Sequence, residues 1–587
     1  MSYLTNFLEK LRLHLAVSGA VLAMSALGLV CGVFSSLVIL AFRFAIDSGQ
    51  ASFIPYGDLG RFEALETTWR VALPIGGAML LGAIFHFLQA PQRRLGIVHV
   101  LERLQYHEGH LPFRNFLLQF VGGIIALVSG QSVGREAPSV HLGAATSSLI
   151  GQYLQLPNNA TRIMVASGAA AAIAASFNTP LAGVVFAMEV VMMEYTIIGF
   201  TPVIVSSVAA TVITRAIYDD GAVFFFPQLA LASLQELGFI LIMGITLGAL
   251  SAFFVAMVRF FARVTQAIPI FLRFSLCGVL LGIIASRLPE VLGLSYDTVN
   301  AAVLGDLAVA TLALLLLAKF VASAACVGVG MPGGLIGPTI VIGSMVGGLF
   351  AYASGFIPGF TSGYGLYVML GMGAMMSATL HAPLAALITL LELTGNPNLI
   401  LPAMLAIVSA NITAREFFNQ ESIFTLLMRD SGLDYRNDPL SQSLRHIAVA
   451  GVMNRSFVEL DEEIASADVD AILADTPQWI IIRAADERRL LLPASDLARV
   501  MDPAGDGQTE DKPEIPDVIK LTEIPGQRLA LAGVHLQATM HEARDNLESS
   551  GADALYVRRP IAPMTDRTFG VILRGDIESS YARRRYR

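Results

Sequence analysis

Charge is scarce along most of this chain. Asp, Glu, Lys and Arg make up 14% of its 587 residues, where a soluble domain carries about a quarter. Apolar residues fill 55% and mean hydropathy is +0.64, so most of the chain suits lipid better than water. The net charge of −8 is unevenly spread, with few charges over 15–418 and many over 429–587. No basic stripe of the kind that binds nucleic acid is present. Cysteine is scarcer still. Cys31, Cys277 and Cys326 lie in apolar runs without metal-ligand or disulfide spacing, and they read as small buried hydrophobes. No cleavable leader is evident: residues 1–14 are polar and amphipathic, and the apolar run after them is long enough to span. A nucleophile–base constellation and a phosphate loop are also missing, which argues against an enzyme.

Long apolar runs dominate what remains. A helix crosses a bilayer with about 20 apolar residues. Runs of full or near-full length cover 15–46, 69–88, 198–217, 237–261, 271–288, 307–329, 364–380 and 399–413. Shorter or glycine-interrupted stretches lie between them, at 116–127, 140–154, 164–175, 181–193, 335–351 and 383–393. These read as helices that stop partway. Broken helices survive in a membrane only where the freed backbone groups are buried in protein or line a cavity, so the pattern predicts a pore or transporter. The composition turns polar after Phe418. The expected organisation is an amphipathic segment 1–14, a membrane domain 15–432, a linker 433–446, and two small α/β modules, 447–501 and 529–587, separated by a linker 502–528. An acidic tail without disulfides points to the cytoplasm.

The membrane part repeats itself. Gly134-Arg-Glu-Ala-Pro138 with Gly143 matches Gly334-Leu-Ile-Gly-Pro338 with Gly343, 200 positions on. Pro180-Leu-Ala182 with Glu189 matches Pro383-Leu-Ala385 with Glu392, and Gly168 matches Gly371, each 203 positions on. Order, spacing and residue type agree, so two homologous halves are expected, about 15–218 and 233–432. In transporters such halves are often inverted, with broken helices meeting at the site.

Both Gly-Pro loops follow an apolar run and precede a helix. Glycine lets backbone approach a ligand, and proline fits a first helical turn. Free N–H groups and a positive dipole end then make an anion site without a basic side chain, one weak enough to release a permeant ion. Close helix packing explains one such loop better than two at a matched offset. Glu136 is a carboxylate deep in this apolar context, and intramembrane carboxylates are functional by default. Its charge competes with an anion and its protonation releases the path, making it a gate or proton carrier; an ion pair with Arg135 is the plainer alternative. Glu189 and Glu392 read as structural, bonding backbone N–H groups at a helix end, and His141 reads as a structural donor.

These motifs resemble those of the CLC chloride channels and transporters. Gly134-Arg-Glu-Ala-Pro138 with Val140-His141 is similar to the family's Gly-Lys/Arg-Glu-Gly-Pro, and Gly334-Leu-Ile-Gly-Pro338 to its Gly-x-Phe-x-Pro. Phe177-Asn-Thr-Pro-Leu-Ala-Gly183 and Glu421-Ser-Ile-Phe-Thr-Leu426 also match. The tail resembles a CBS-domain pair, through Val452-Met-Asn-Arg455, Ala494-Ser-Asp496 and Arg574-Gly-Asp576. The resemblance implies an all-α polytopic membrane protein with two inverted homologous halves and broken helices, plus a C-terminal α/β CBS pair. It further implies a bacterial inner-membrane homodimer with one chloride pathway per subunit. Glu136 would be the gate. Anion contacts would come from the backbone of Leu335 and Ile336 and from Gly134, Arg135 and Ala137 around the gate. A CBS pair can hold an adenine nucleotide, through Asp496 and Asp576; no other cofactor and no metal is expected.

Four departures stand out. Leu95 replaces the family's anion-binding serine, Phe424 replaces its anion-binding tyrosine, and Val98 replaces a loop proline. Val190 stands where exchangers of the family carry an inner proton-passing glutamate. Valine carries no proton, but some exchangers lack that glutamate. A chloride channel gated by Glu136 is therefore the first expectation, and a proton-coupled chloride antiporter the alternative.

Overall fold

A computed structural model describes residues 2–16, 20–54, 60–195, 197–218, 230–433, 439–484, 488–501, 516–562 and 565–585. Residues 434–438 and 502–515, which carry much of the two expected linkers, lie outside the described residues. The chain divides into two compact units. One holds 21–153 and 161–435, and the other holds 1–20, 154–160 and 436–587.

The larger unit is helical. Helix α1 (Ser2–Ala16) precedes it in sequence. The first half runs α2 (Val21–Ala51), α3 (Thr67–His86), α4 (Gly96–Tyr106), α5 (Phe113–Val128), α6 (Glu136–Tyr153), α7 (Asn158–Phe177), α8 (Pro180–Phe186) and α9 (Ile197–Tyr218). The second half repeats the order: α10 (Glu236–Val264), α11 (Ile270–Ala285), α12 (Tyr296–Leu304), α13 (Val309–Val329), α14 (Ile336–Ser354), α15 (Tyr364–Leu380), α16 (Pro383–Thr394) and α17 (Ile400–Ile412). Helix α18 (Ile423–Asp430) closes the unit. Packing repeats as well: α2 lies on α9 and α10 on α17, while α3 of one half lies on α11 of the other. A Cβ on Gly143 would fall 2.3 Å from the Gly168 carbonyl oxygen, and one on Gly343 2.3 Å from that of Gly371. The two glycine pairs thus let α6 touch α7, and α14 touch α15, backbone to backbone.

Eight helices among the described residues are long and apolar enough to cross a membrane. Two of them correct the sequence reading. Asn158–Phe177 and Ile336–Ser354 are long enough to cross, not half-length. Both are mostly buried, an 18-residue stretch of Asn158–Phe177 entirely, and both are rich in the Ala, Gly and Ser that suit close packing. Conversely, the run expected over 271–288 forms a helix of only 16 residues, Ile270–Ala285. Helix α8 is short and passes into a π-turn, Ala187–Met192, that ends on left-handed Met193. Cys277 and Cys326 approach to 3.7 Å as buried free thiols.

The smaller unit is α/β. It contains β1 (Phe457–Asp461), β2 (Glu463–Ala465), β3 (Trp479–Arg483), β4 (Arg489–Pro493), β5 (Val518–Lys520), β6 (Leu529–His535), β7 (Ala554–Ala562) and β8 (Thr565–Leu573). Its helices are α19 (Pro439–Arg445), α20 (Val469–Ala474), α21 (Ala494–Met501), α22 (Met540–Ser550) and α23 (Arg574–Arg585). The main sheet has the order β1-β3-β4-β6-β7-β8. In each triplet the first pair is parallel and the second antiparallel, and β4 joins β6 between them. That is a duplicated module, as the CBS resemblance implies. Asp496 and Asp576 occupy equivalent places at the starts of α21 and α23, where Asp576 accepts the Leu573 N–H at 2.9 Å.

Candidate functional site

The two Gly-Pro loops fold alike and meet. Helix α5 ends at Gly130 (φ 74°) and α13 at Gly330 (φ 85°). The next N–H turns back in both: Gln131 to the Ala126 carbonyl at 2.9 Å, Met331 to that of Cys326 at 3.0 Å. Four residues after each glycine the loops bridge reciprocally. Gly134 N–H donates to the Gly334 carbonyl and Gly334 N–H to the Gly134 carbonyl, both at 2.7 Å. Helices α6 and α14 start directly beyond this bridge, so two dipole N-termini lie side by side.

The Glu136 side chain is fully buried there. Its Oε2 accepts the Gly337 N–H, in the first turn of α14, at 3.1 Å. Its Oε1 accepts the Tyr296 hydroxyl at 2.5 Å. A carboxylate at a helix N-terminus takes the position an anion would take. Glycine at 337 matters, since a Cβ would fall 3.2 Å from that carboxylate. The alternative pairing with Arg135 is not made: among the described residues no ion pair joins them. The Arg135 guanidinium instead donates to the Ser176 carbonyl at 2.9 Å and stands 5.8 Å from the Tyr296 ring centre. Arg135 and Tyr296 line a cavity of about 380 Å³, together with Arg43, Asp47, Arg215 and Asp297.

A third helix start joins the pair. Leu95 precedes α4, and a Cβ on Gly96 would lie 3.9 Å from the Ala137 methyl. Gln119 fixes this arrangement, accepting the Gly96 N–H at 2.8 Å and donating to the Pro332 carbonyl at 3.3 Å. Gly134 to Ala137, Leu335 to Gly337 and the Leu95 turn are thus assembled from sequence positions up to 242 apart. Phe424 is buried on α18, which packs against α4. Val190 is buried in the π-turn, which also packs on α4. His141 meets His99, Nε2 to Nδ1, at 2.7 Å. Asp496 and Asp576 belong to the smaller unit.

Two residues around Glu136 escape the motif reading, Tyr296 and Lys319, and a third, Gly337, lies inside a motif without being singled out. Lys319 is 1% exposed on α13. Its ammonium donates to the Val291 carbonyl at 3.0 Å, the Gly293 carbonyl at 2.8 Å and the Ser295 hydroxyl at 2.8 Å. A signal was available, because Lys319 is the only lysine between Lys10 and Lys512.

A family model described as voltage gated chloride channel matches residues 76–415. The chain belongs to the CLC family. A putative chloride channel protein ClcB-like from Ralstonia nicotianae is 32% identical over 402 residues, which cover 67% of this chain and 93% of that CLC protein. An H(+)/Cl(-) exchange transporter ClcA from Vibrio cholerae is 32% identical over 332 residues, 53% of this chain and 69% of the relative. The structure of a slow cyanobacterial Cl-/H+ antiporter shares the fold over 70% of this chain and 97% of its own, with TM-score 0.62 and 23% identity. A eukaryotic CLC transporter shares it over 94% and 97%, with TM-score 0.58 and 17% identity. This chain is therefore an integral membrane protein of CLC anion transport.

Proposed function

We propose that the protein is a chloride channel whose path is shut by the ionised Glu136 side chain. One observation carries the reading: the Glu136 carboxylate occupies the α14 N-terminus through the Gly337 N–H, where a chloride ion would otherwise bind. The backbone of Leu335 and Ile336 and the loop holding Gly134, Arg135 and Ala137 supply the rest of the anion site, with Leu95 and Phe424 as its apolar walls. Protonation neutralises Glu136, frees it from the dipole ends and opens the path.

Passive flow is favoured by the inner side. Val190 offers no proton carrier, and the carboxylate beside it is engaged: Glu189 accepts the Leu384 and Ala385 N–H groups at 3.2 and 2.7 Å. The second reading is proton-coupled exchange, favoured by the names of the relatives, H(+)/Cl(-) exchange transporters at 32% identity. We further infer a homodimer in a bacterial inner membrane, as the CLC resemblance implies, with the acidic tail on the cytoplasmic side.

Chloride-loaded liposomes, clamped with potassium and valinomycin and watched by an external pH electrode, test the proposal. The channel reading expects a reversal potential that follows chloride whatever the pH gradient. It also expects Glu136→Gln to raise flux near neutral pH and flatten its pH dependence. Sustained uphill proton movement that Glu136→Gln abolishes would make the protein an exchanger.

A further inference from the structure

We infer that Tyr296 is the latch of the Glu136 gate, and that the buried Lys319 ammonium positions it. The inference rests on the gating role proposed for Glu136.

Glu136 has two partners of different chemistry. The Gly337 N–H can only donate. The Tyr296 hydroxyl donates to Oε1 now, but a hydroxyl can also accept. Two donors, one on each oxygen, suit a carboxylate. A protonated carboxyl must give one hydrogen away, and of these two partners only the Tyr296 oxygen can take it. The phenol therefore holds the closed, ionised gate and receives the hydrogen bond of the neutral one.

Tyr296 is held in place by an unusual turn. It opens α12 directly after Ser295, which is left-handed at φ 58°, and three residues after Gly293 at φ 61°. A left-handed residue other than glycine persists only where its surroundings over-determine it. Here they do. Lys319 Nζ grips the turn at Val291, Gly293 and Ser295. The Ser295 hydroxyl donates to the Glu290 carbonyl at 2.6 Å. The Gly293 N–H donates to the Gly130 carbonyl at 3.1 Å, tying the turn to the end of α5 that carries the first loop. A lysine inside a membrane bundle is expensive and calls for a role. This one satisfies its three donors on the turn that presents the phenol. The other charged groups around the latch are Arg135, beside the Tyr296 ring, and Arg43, Asp47, Arg215 and Asp297 around the adjoining cavity.

Chloride flux into liposomes, measured across pH for the full chain, decides the matter. Tyr296→Phe keeps the ring and deletes only the hydroxyl. The midpoint of the flux–pH curve should move to higher pH by about one unit, the difference between a hydrogen bond to the charged carboxylate and one from the neutral carboxyl. In Glu136→Gln background the same change should do nothing further. Lys319→Met should shift the midpoint in the same direction, and Lys319→Arg should restore part of it. A Tyr296→Phe midpoint within about a third of a unit of wild type, with Glu136→Gln still flattening the curve, would sink the latch and leave the gate standing. A Glu136→Gln curve as pH-sensitive as wild type would remove the gate and the latch with it. Should Lys319→Met fail to insert, Tyr296→Phe alone decides.

Discussion

Glu189 and Glu392 cap each other's helices. Glu189, on the turn that continues α8, accepts the Leu384 and Ala385 N–H groups at the start of α16. Glu392, on α16, accepts the Leu181 and Ala182 N–H groups at the start of α8, at 2.8 and 2.7 Å. Pro180 and Pro383 open the two helices, so the next N–H groups are the ones in need of partners. Either Glu→Ala change should cost about 2–3 kcal/mol, since two charge-assisted bonds are lost at a helix start. Thermal unfolding in detergent reads this as a lowered midpoint, while chloride flux per folded molecule stays near wild type. A slowed flux with an unchanged midpoint would place that carboxylate in the pathway.

Phe424→Tyr tests whether this residue forms an apolar wall of the proposed anion site. Phe424 is 3% exposed, so a new hydroxyl gains only if an anion or another polar group is there to meet it. One net hydrogen bond is worth about 0.5–1.5 kcal/mol, and chloride affinity in calorimetry should tighten about three- to tenfold. If the residue faces only protein, affinity stays put and the chain loses stability, because a buried hydroxyl lacks a partner.

In the tail, His541 supplies a pH dependence of its own. Burial chiefly, then the Arg445 guanidinium, hold its pKa below the ordinary 6.5, with Asp545 opposing. Arg445 lies 3.3 Å and Asp545 3.4 Å from its Nε2. The folded state therefore binds fewer protons than the unfolded one. Its contribution is complete above about pH 6.5 and is lost as pH falls below, by up to about 1.4 kcal/mol for each unit. Hydrogen exchange of α22 in the full chain, corrected for intrinsic rates, should show protection falling between about pH 7.5 and 5.5. The fall should be smaller in His541→Gln.

Sequence exposes those parts of the site whose residue types are out of place locally. Glu136 is visible because a carboxylate stands in an apolar run. The two loops are visible because glycine and proline recur at fixed intervals. Tyr296 carries no such mark, since a tyrosine in a short connecting helix is ordinary, and its partner Glu136 lies 160 positions away. Gly337 was inside a recognised motif, yet which N–H meets the carboxylate is set by the angle between α6 and α14, which no spacing encodes. The full lengths of α7 and α14 are hidden for a related reason: a helix enclosed by protein is built for tight contact, and its glycines, serines and polar end residues interrupt the run of large apolar side chains that marks a lipid-facing span.

The reciprocal bond between Gly134 and Gly334 bears on how such a chain could arise. A polypeptide holding one half alone would bury the Gly134 N–H and carbonyl unpaired, and would leave the N–H groups of Leu181 and Ala182 without a carboxylate. Each orphan costs several kcal/mol in a dry interior. Two copies of that half can trade the same bonds about a two-fold axis, each giving what it receives. Gene duplication would then have joined partners that already depended on one another. On that reasoning a single-half ancestor would have been an obligate dimer, with the paired loops on the axis between two identical chains.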